Sequence, residues 1–81
     1  MFYTYILESV HFADKTYIGF TNSIEKRLKS HNHENNKGYT ARFKPWTVKY
    51  IFEFETKAEA MQKEKWLKSG VGRIWMKATI E

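Results

Sequence analysis

A chain of 81 residues that contains no cysteine has to be held together by packing alone. Disulfide scaffolds, Cys-liganded zinc sites and thiol nucleophiles are excluded by the same fact. The packing material is aromatic: six Phe, five Tyr and three Trp supply bulky side chains to a chain near the lower size limit for unassisted folding. Such a length has room for one core, so residues 1–81 are expected to form a single domain. The apolar stretch Met1 to Leu7 is too short for a membrane span and lacks the basic start and cleavage site of a signal peptide. The expectation is a cytoplasmic protein with no membrane partner.

Phe2-Tyr3-Thr4-Tyr5-Ile6-Leu7 and Thr16-Tyr17-Ile18-Gly19-Phe20 are rich in β-branched and aromatic residues and predict an antiparallel hairpin. A third strand is expected from Thr47 to Phe54, where Val48, Tyr50, Phe52 and Phe54 alternate onto one face. Between them, Asn22 and Glu25 resemble a capping box, and Ile24, Leu28 and His31 recur at helical spacing, which predicts a helix over 23–33. A second helix is expected from Thr56 to Lys68, capped by Thr56 and stopped by Ser69-Gly70. After Gly72, a short last helix is expected to pack Ile74, Trp75 or Met76 on the sheet. The fold class is therefore α+β, a three-stranded antiparallel sheet flanked by helices.

The net charge of +5 is concentrated in residues 21–50, where Lys26, Arg27, Lys29, Lys37, Arg42, Lys44 and Lys49 face only Glu25 and Glu34. A solvated face accounts for such a run, and so does a surface for a polyanion. Three side chains then break the amphipathic pattern. Arg27 and His31 fall beside Ile24 and Leu28 on the inward stripe of the first helix. Burying an unpaired guanidinium is costly, so Arg27 either reaches the rim or points into a polar cleft that takes an anion. His31 is cheaper to bury, and a lone histidine there is more often a hydrogen-bonded core residue than a ligand. Glu64 lies between Ala60 and Leu67 on the inward stripe of the second helix, with Met61 and Lys68 alongside. Its carboxylate calls for a cation, either a basic side chain such as Arg27 or a metal ion that takes oxygen ligands.

Tyr3 and Tyr5 share one face of the first strand, and Tyr17 and Gly19 share one face of the second. Core packing explains strand tyrosines, whereas a glycine at the end of a strand leaves room for a close approach. Together, Tyr5, Tyr17, Arg27, His31 and Glu64 converge on one side of the sheet. That set suits metal-assisted phosphodiester hydrolysis, with Glu64 on the metal, Arg27 on the phosphate, and Tyr17 or His31 handling protons.

These residues resemble the GIY-YIG nucleases. Tyr17-Ile18-Gly19 is a literal match to the second signature triplet, and Tyr3-Thr4-Tyr5 stands at the first, with the Gly and Ile positions changed. Arg27 falls ten residues after Tyr17, His31 four after Arg27, and Glu64 lies in a helix after the third strand, as in that family. The chain is similar throughout to short stand-alone members related to the excinuclease nuclease domain. The resemblance implies that Arg27 contacts phosphate, that Glu64 binds one Mg2+ or Mn2+ ion, and that Tyr5, Tyr17 and His31 position and deprotonate water. Many members also carry a late Asn downstream of the glutamate. Here no residue after Gly70 is Asn, and Gly70-Val71-Gly72-Arg73-Ile74-Trp75 occupies that region.

The leading expectation is a divalent-metal-dependent DNA endonuclease, with Lys26, Lys29, Lys37, Arg42 and Lys44 contacting the phosphates of its DNA partner. The alternatives are a nucleic-acid-binding module whose chemistry has lapsed, and a protein-interaction domain that uses exposed aromatics such as Trp66. Retention of Tyr17, Arg27, His31 and Glu64 together favours the enzyme, because a buried glutamate without a metal is a liability. Substrate preference, oligomeric state and setting (repair, recombination or defence) are left open.

Overall fold

The computed structural model describes residues 1–79. The element order is β1 (Phe2–Ser9), β2 (Thr16–Thr21), α1 (Ile24–Asn32), a 3-10 helix (Tyr39–Phe43), β3 (Trp46–Phe54), α2 (Lys57–Leu67) and α3 (Gly70–Thr79). All three strands are antiparallel neighbours in the order β2-β1-β3, so the hairpin strand β1 is central and β2 forms an edge. The α+β class and the three-stranded sheet expected from the sequence are the ones found.

Because successive strand residues point to opposite faces, β1 divides the core in two. Tyr5 and Leu7 pack with Trp46, Tyr17 and Val48 under Ile24 and Leu28 of α1. Ile6, from the other face, packs with Ile18 and Phe52 under Leu67, Trp66, Met76 and Trp75 of α2 and α3. The helices thus lie on opposite faces of the sheet. Thr4, fully buried between strand and helix, donates from Oγ1 to the carbonyl of Ala60 at 2.7 Å and ties β1 to α2.

Strand three does not keep one face. Ile6 pairs with Tyr50 but Leu7 pairs with Val48, so Lys49 is an extra residue that shifts the register. This bulge turns Val48 toward the Tyr5 cluster while Phe52 stays with Ile6. Simple alternation would have put Val48 with Tyr50 and Phe52. Lys49 itself binds Glu8 at 2.6 Å.

Two caps differ in their agreement with expectation. Thr56 and Glu59 form a complete capping box at the start of α2. At α1 the capping residue is Ser23, whose side chain accepts from the Lys26 amide, and not Asn22. The last helix is longer than expected and begins at Gly70, before Gly72. Ile74 is 71% exposed, whereas Met76 and Trp75 pack as expected. Trp66 is not an exposed aromatic: it packs in the Ile6 cluster, and Lys63 Nζ lies 4.3 Å from its ring centroid. Met61, expected beside the inward stripe, is 45% exposed.

Gly72 explains how α3 folds back on α2 within so few residues. A Cβ there would collide with the Trp66 carbonyl and lie 2.5 Å from Leu67 Cα, so only glycine lets the two backbones approach. Gly72→Ala should therefore destabilise the domain by at least about 2 kcal/mol in denaturant unfolding, whereas Gly70→Ala, with open space around it, should not.

Candidate active site

The site is organised around a hydroxyl. Tyr5 is 1% exposed, and its Oη accepts from Arg27 Nε at 3.4 Å and lies 3.1 Å from His31 Nε2. The other ring nitrogen of His31, Nδ1, lies 3.1 Å from Thr40 Oγ1. A neutral imidazole bridges those two hydroxyls in either tautomer. Thr40 is held in turn by Asn36, whose Nδ2 donates to Thr40 Oγ1 at 2.6 Å and to the His31 carbonyl at 2.7 Å. Burial raises the Tyr5 pKa above 10.0, with Arg27 opposing, so the phenol is protonated at neutral pH. The bond to Tyr5 raises the Arg27 pKa and keeps the guanidinium charged. Burial, reinforced by the Arg27 charge, lowers the His31 pKa below 6.5, so the ring is neutral.

Gly19 makes this arrangement fit. It pairs with Tyr5 across the strands, and a Cβ there would lie 2.6 Å from Tyr5 Oη and 3.2 Å from Tyr17 Cε1. The room it leaves is filled by tyrosine side chains of the protein itself. The rings of Tyr5 and Tyr17 are 6.3 Å apart, and the Tyr17 ring is 4.7 Å from that of His31.

A cleft of about 500 Å³ opens over the exposed edge of β2, lined among others by Tyr17, Gly19, Arg27, Lys57 and Glu64. Arg27 and Glu64 do not arrive from the same face, as the convergence on one side of the sheet had implied. They come from helices packed on opposite faces and meet around the strand edge. Nor do they pair: among the described residues, Glu64 binds Lys68 at 3.3 Å, one turn further along α2. The Arg27 Nε–H is directed at Tyr5, and the guanidinium borders the cleft beside Tyr17.

His31 does not line the cleft. It is a buried, doubly hydrogen-bonded residue behind Tyr5 and Tyr17, the more ordinary of the two histidine roles. Of the basic residues expected to bind nucleic acid, none lines it either: Lys26 is exposed, Lys29 pairs with Glu25, Lys37 is exposed, Arg42 lies against the Phe43 ring, and Lys44 donates to the His33 carbonyl. Lys57, Thr40 and Asn36 carry no signal in the sequence. Thr40 and Asn36 fall in a segment without periodicity, and Lys57 is one lysine among many.

Among the described residues, Glu64 is the only carboxylate in the cleft lining and no group of three or more His, Asp or Glu side chains converges. A half-buried single carboxylate with open space before it fits a hydrated Mg2+ or Mn2+ ion, which keeps several waters and takes one or two protein oxygens.

Residues 1–77 match the GIY-YIG catalytic domain, and the chain belongs to that family. Its relatives are small UPF0213 proteins. It is 38% identical over 68 residues to one from Clostridium perfringens, covering 84% of this chain and 71% of that protein. A Bacillus licheniformis member is 48% identical over 52 residues, covering 64% of this chain and 54% of its own length. The chain thus spans about half the length of such Bacillus relatives. The solution NMR structure of a UPF0213 protein from Bacillus halodurans superposes with a TM-score of 0.53 at 28% identity, covering 96% of this chain and 84% of that one. No helix among the described residues is long and apolar enough to cross a membrane.

The hydroxyl network should be visible in stability measurements. With its folded pKa depressed, His31 takes up its proton less readily in the native than in the unfolded chain. Its contribution to stability is full above about pH 6.5 and is lost as the pH falls through the folded value. Melting temperatures between neutral and acidic pH should show this loss, and His31→Gln should flatten that part of the profile. Gly19→Ala should displace Tyr5 and cost about 1–3 kcal/mol of stability, measured by denaturant unfolding.

Proposed function

We propose that the domain is a divalent-metal-dependent endonuclease that hydrolyses DNA phosphodiester bonds, in repair or recombination. The observation that carries this reading is the meeting of Tyr17, Arg27 and Glu64 in one cleft from three different elements, with no ion pair between the two opposite charges. The structural alternative for Glu64 was a pair with a basic side chain, and a buried pair with Arg27 would have filled the cleft. Its partner is instead the half-exposed Lys68, in an ordinary pair one helical turn apart.

In the reaction a water oxygen bonds to phosphorus as the ester P–O bond breaks and negative charge grows on the phosphoryl oxygens. The Arg27 guanidinium holds the scissile phosphate and neutralises that charge. Tyr17, the tyrosine that opens on the cleft, orients the water and relays its proton through the phenol hydroxyl to solvent, and the departing ester oxygen takes a proton from solvent in turn. Tyr5 and His31 do not meet the substrate; they position Arg27 and Tyr17. Glu64 holds the ion, which when bound supplies a Lewis acid and a more acidic water. Lys57 adds positive charge at the cleft mouth, and Lys26, Lys29, Lys37, Arg42 and Lys44 add phosphate contacts outside it.

The test is incubation of the purified protein with branched, single-stranded and duplex DNA in Mg2+ or Mn2+. Cleavage should require the metal and should fall at least about 100-fold in Arg27→Ala and in Glu64→Gln. Since the Glu64–Lys68 pair is solvent-exposed on the lysine side, Glu64→Gln should cost no more than about 0.5 kcal/mol of stability in chelator. It should also remove thermal stabilisation by Mg2+. Metal-dependent cleavage that survives in Glu64→Gln would return this carboxylate to a structural role.

A further inference from the structure

The cleft is not where the concave surface ends. A second groove, of about 450 Å³, runs between β2 and α3 and is lined among others by Tyr17, Tyr39, Lys68, Arg73, Met76 and Lys77. It adjoins the cleft at two points. Tyr17 lines both, and Lys68, on the groove side, binds Glu64, on the cleft side, at 3.3 Å. A chain lying in the cleft across Tyr17 and Glu64 therefore continues into the groove without leaving the surface.

The groove has the chemistry of a polyanion track. Among the described residues, three of its lining side chains are cations and none is a carboxylate. Arg73 and Lys77 are four residues apart on α3, hence on one face and about 6 Å apart along the axis. They flank Met76, which is 6% exposed and anchors that face to the sheet, so the helix holds both cations at the rim. Opposite them, Tyr39 is 52% exposed and offers an aromatic surface at the end of the 3-10 helix that also holds His31 through Thr40. Alternating phosphate and base contacts of this kind are how single strands are held without regard to sequence.

We propose that the groove between β2 and α3 carries the nucleic-acid strand on one side of the scissile phosphate, with Arg73 and Lys77 on its phosphates and Tyr39 stacked against a base. This assignment rests on the cleft being the site of hydrolysis. It makes α3 the main source of affinity for the bound strand, with the basic residues of 21–50 secondary to it.

Binding of a short fluorescent oligothymidine, followed by anisotropy in EDTA over a series of salt concentrations, tests the groove without requiring cleavage. Arg73→Ala/Lys77→Ala should weaken binding by about tenfold or more at low salt. It should also reduce the slope of log K against log salt by about 1.4, two single-strand phosphate contacts at about 0.7 each. Tyr39→Ala should weaken binding about fivefold or more with the slope unchanged, because a stacking contact carries no charge. Lys65→Ala, an exposed lysine outside both concavities, should change little. The substituted positions are all exposed, and melting curves check that the variants fold. Unchanged affinity and slope in Arg73→Ala/Lys77→Ala would overturn the groove while leaving the nuclease reading intact. Failure of the unaltered protein to bind the oligonucleotide would overturn it as well. Loss of slope in the variant of a protein that cleaves nothing would uphold the groove as a strand-binding surface, and would remove the hydrolytic reading and with it the placement beside a scissile phosphate.

Discussion

The hydroxyl of Tyr5 is the point on which the rest of the site depends. It is buried in the centre of the sheet, yet it must satisfy its hydrogen-bonding capacity, and it does so with Arg27 and His31 of α1. One atom thereby fixes the rotation of the helix against the strand. Arg27 lines the cleft at the β2 edge, and His31 is set against Tyr17 at a ring separation of 4.7 Å. A raised phenol pKa keeps Tyr5 protonated, so it holds its neighbours as a neutral hydroxyl.

The second constraint is that the helices sit on opposite faces while their functional groups meet. Only an edge strand permits this, because a central strand would put the sheet between them. β2 is that edge, and its Gly19 lets Tyr5 lean toward Tyr17. Gly72 does similar work at the other end of the molecule, bringing α3 close enough to α2 for Arg73 and Lys77 to border the same strand. In both places a missing Cβ converts two separate elements into one surface.

Much of this is legible in the sequence. The hairpin follows from two aromatic, β-branched runs and the α2 cap from Thr56 and Glu59, whereas helical spacing sets Arg27 on the inward stripe of α1 and the structure leaves it exposed at the cleft beside the half-buried Glu64. The literal Tyr17-Ile18-Gly19 triplet, with the spacing to Arg27, points to the family to which the chain belongs. What is not legible depends on tertiary contacts. A bulge at Lys49 leaves no mark in an alternating strand, so alternation puts Val48 on the wrong face. The burial of His31 depends on Thr40, nine residues away in a segment with no periodicity. Trp66 projects outward from its own helix because helical projection knows nothing of α3, which covers it with Trp75 at 5.9 Å. The same blindness hides Arg73 and Lys77, whose position relative to Tyr17 exists only once α3 has folded back.

The proposed link runs from Tyr5 through Arg27 to the scissile phosphate, and a double-mutant cycle on cleavage measures it most directly. Tyr5→Phe keeps the ring and its packing and removes only the oxygen. If the hydroxyl works by holding the guanidinium, kcat in Tyr5→Phe should fall substantially at nearly unchanged DNA affinity. The double variant with Arg27→Ala should then be scarcely slower than Arg27→Ala alone, because both changes remove one function. Full additivity of the two losses, or wild-type cleavage by a correctly folded Tyr5→Phe variant, would contradict it.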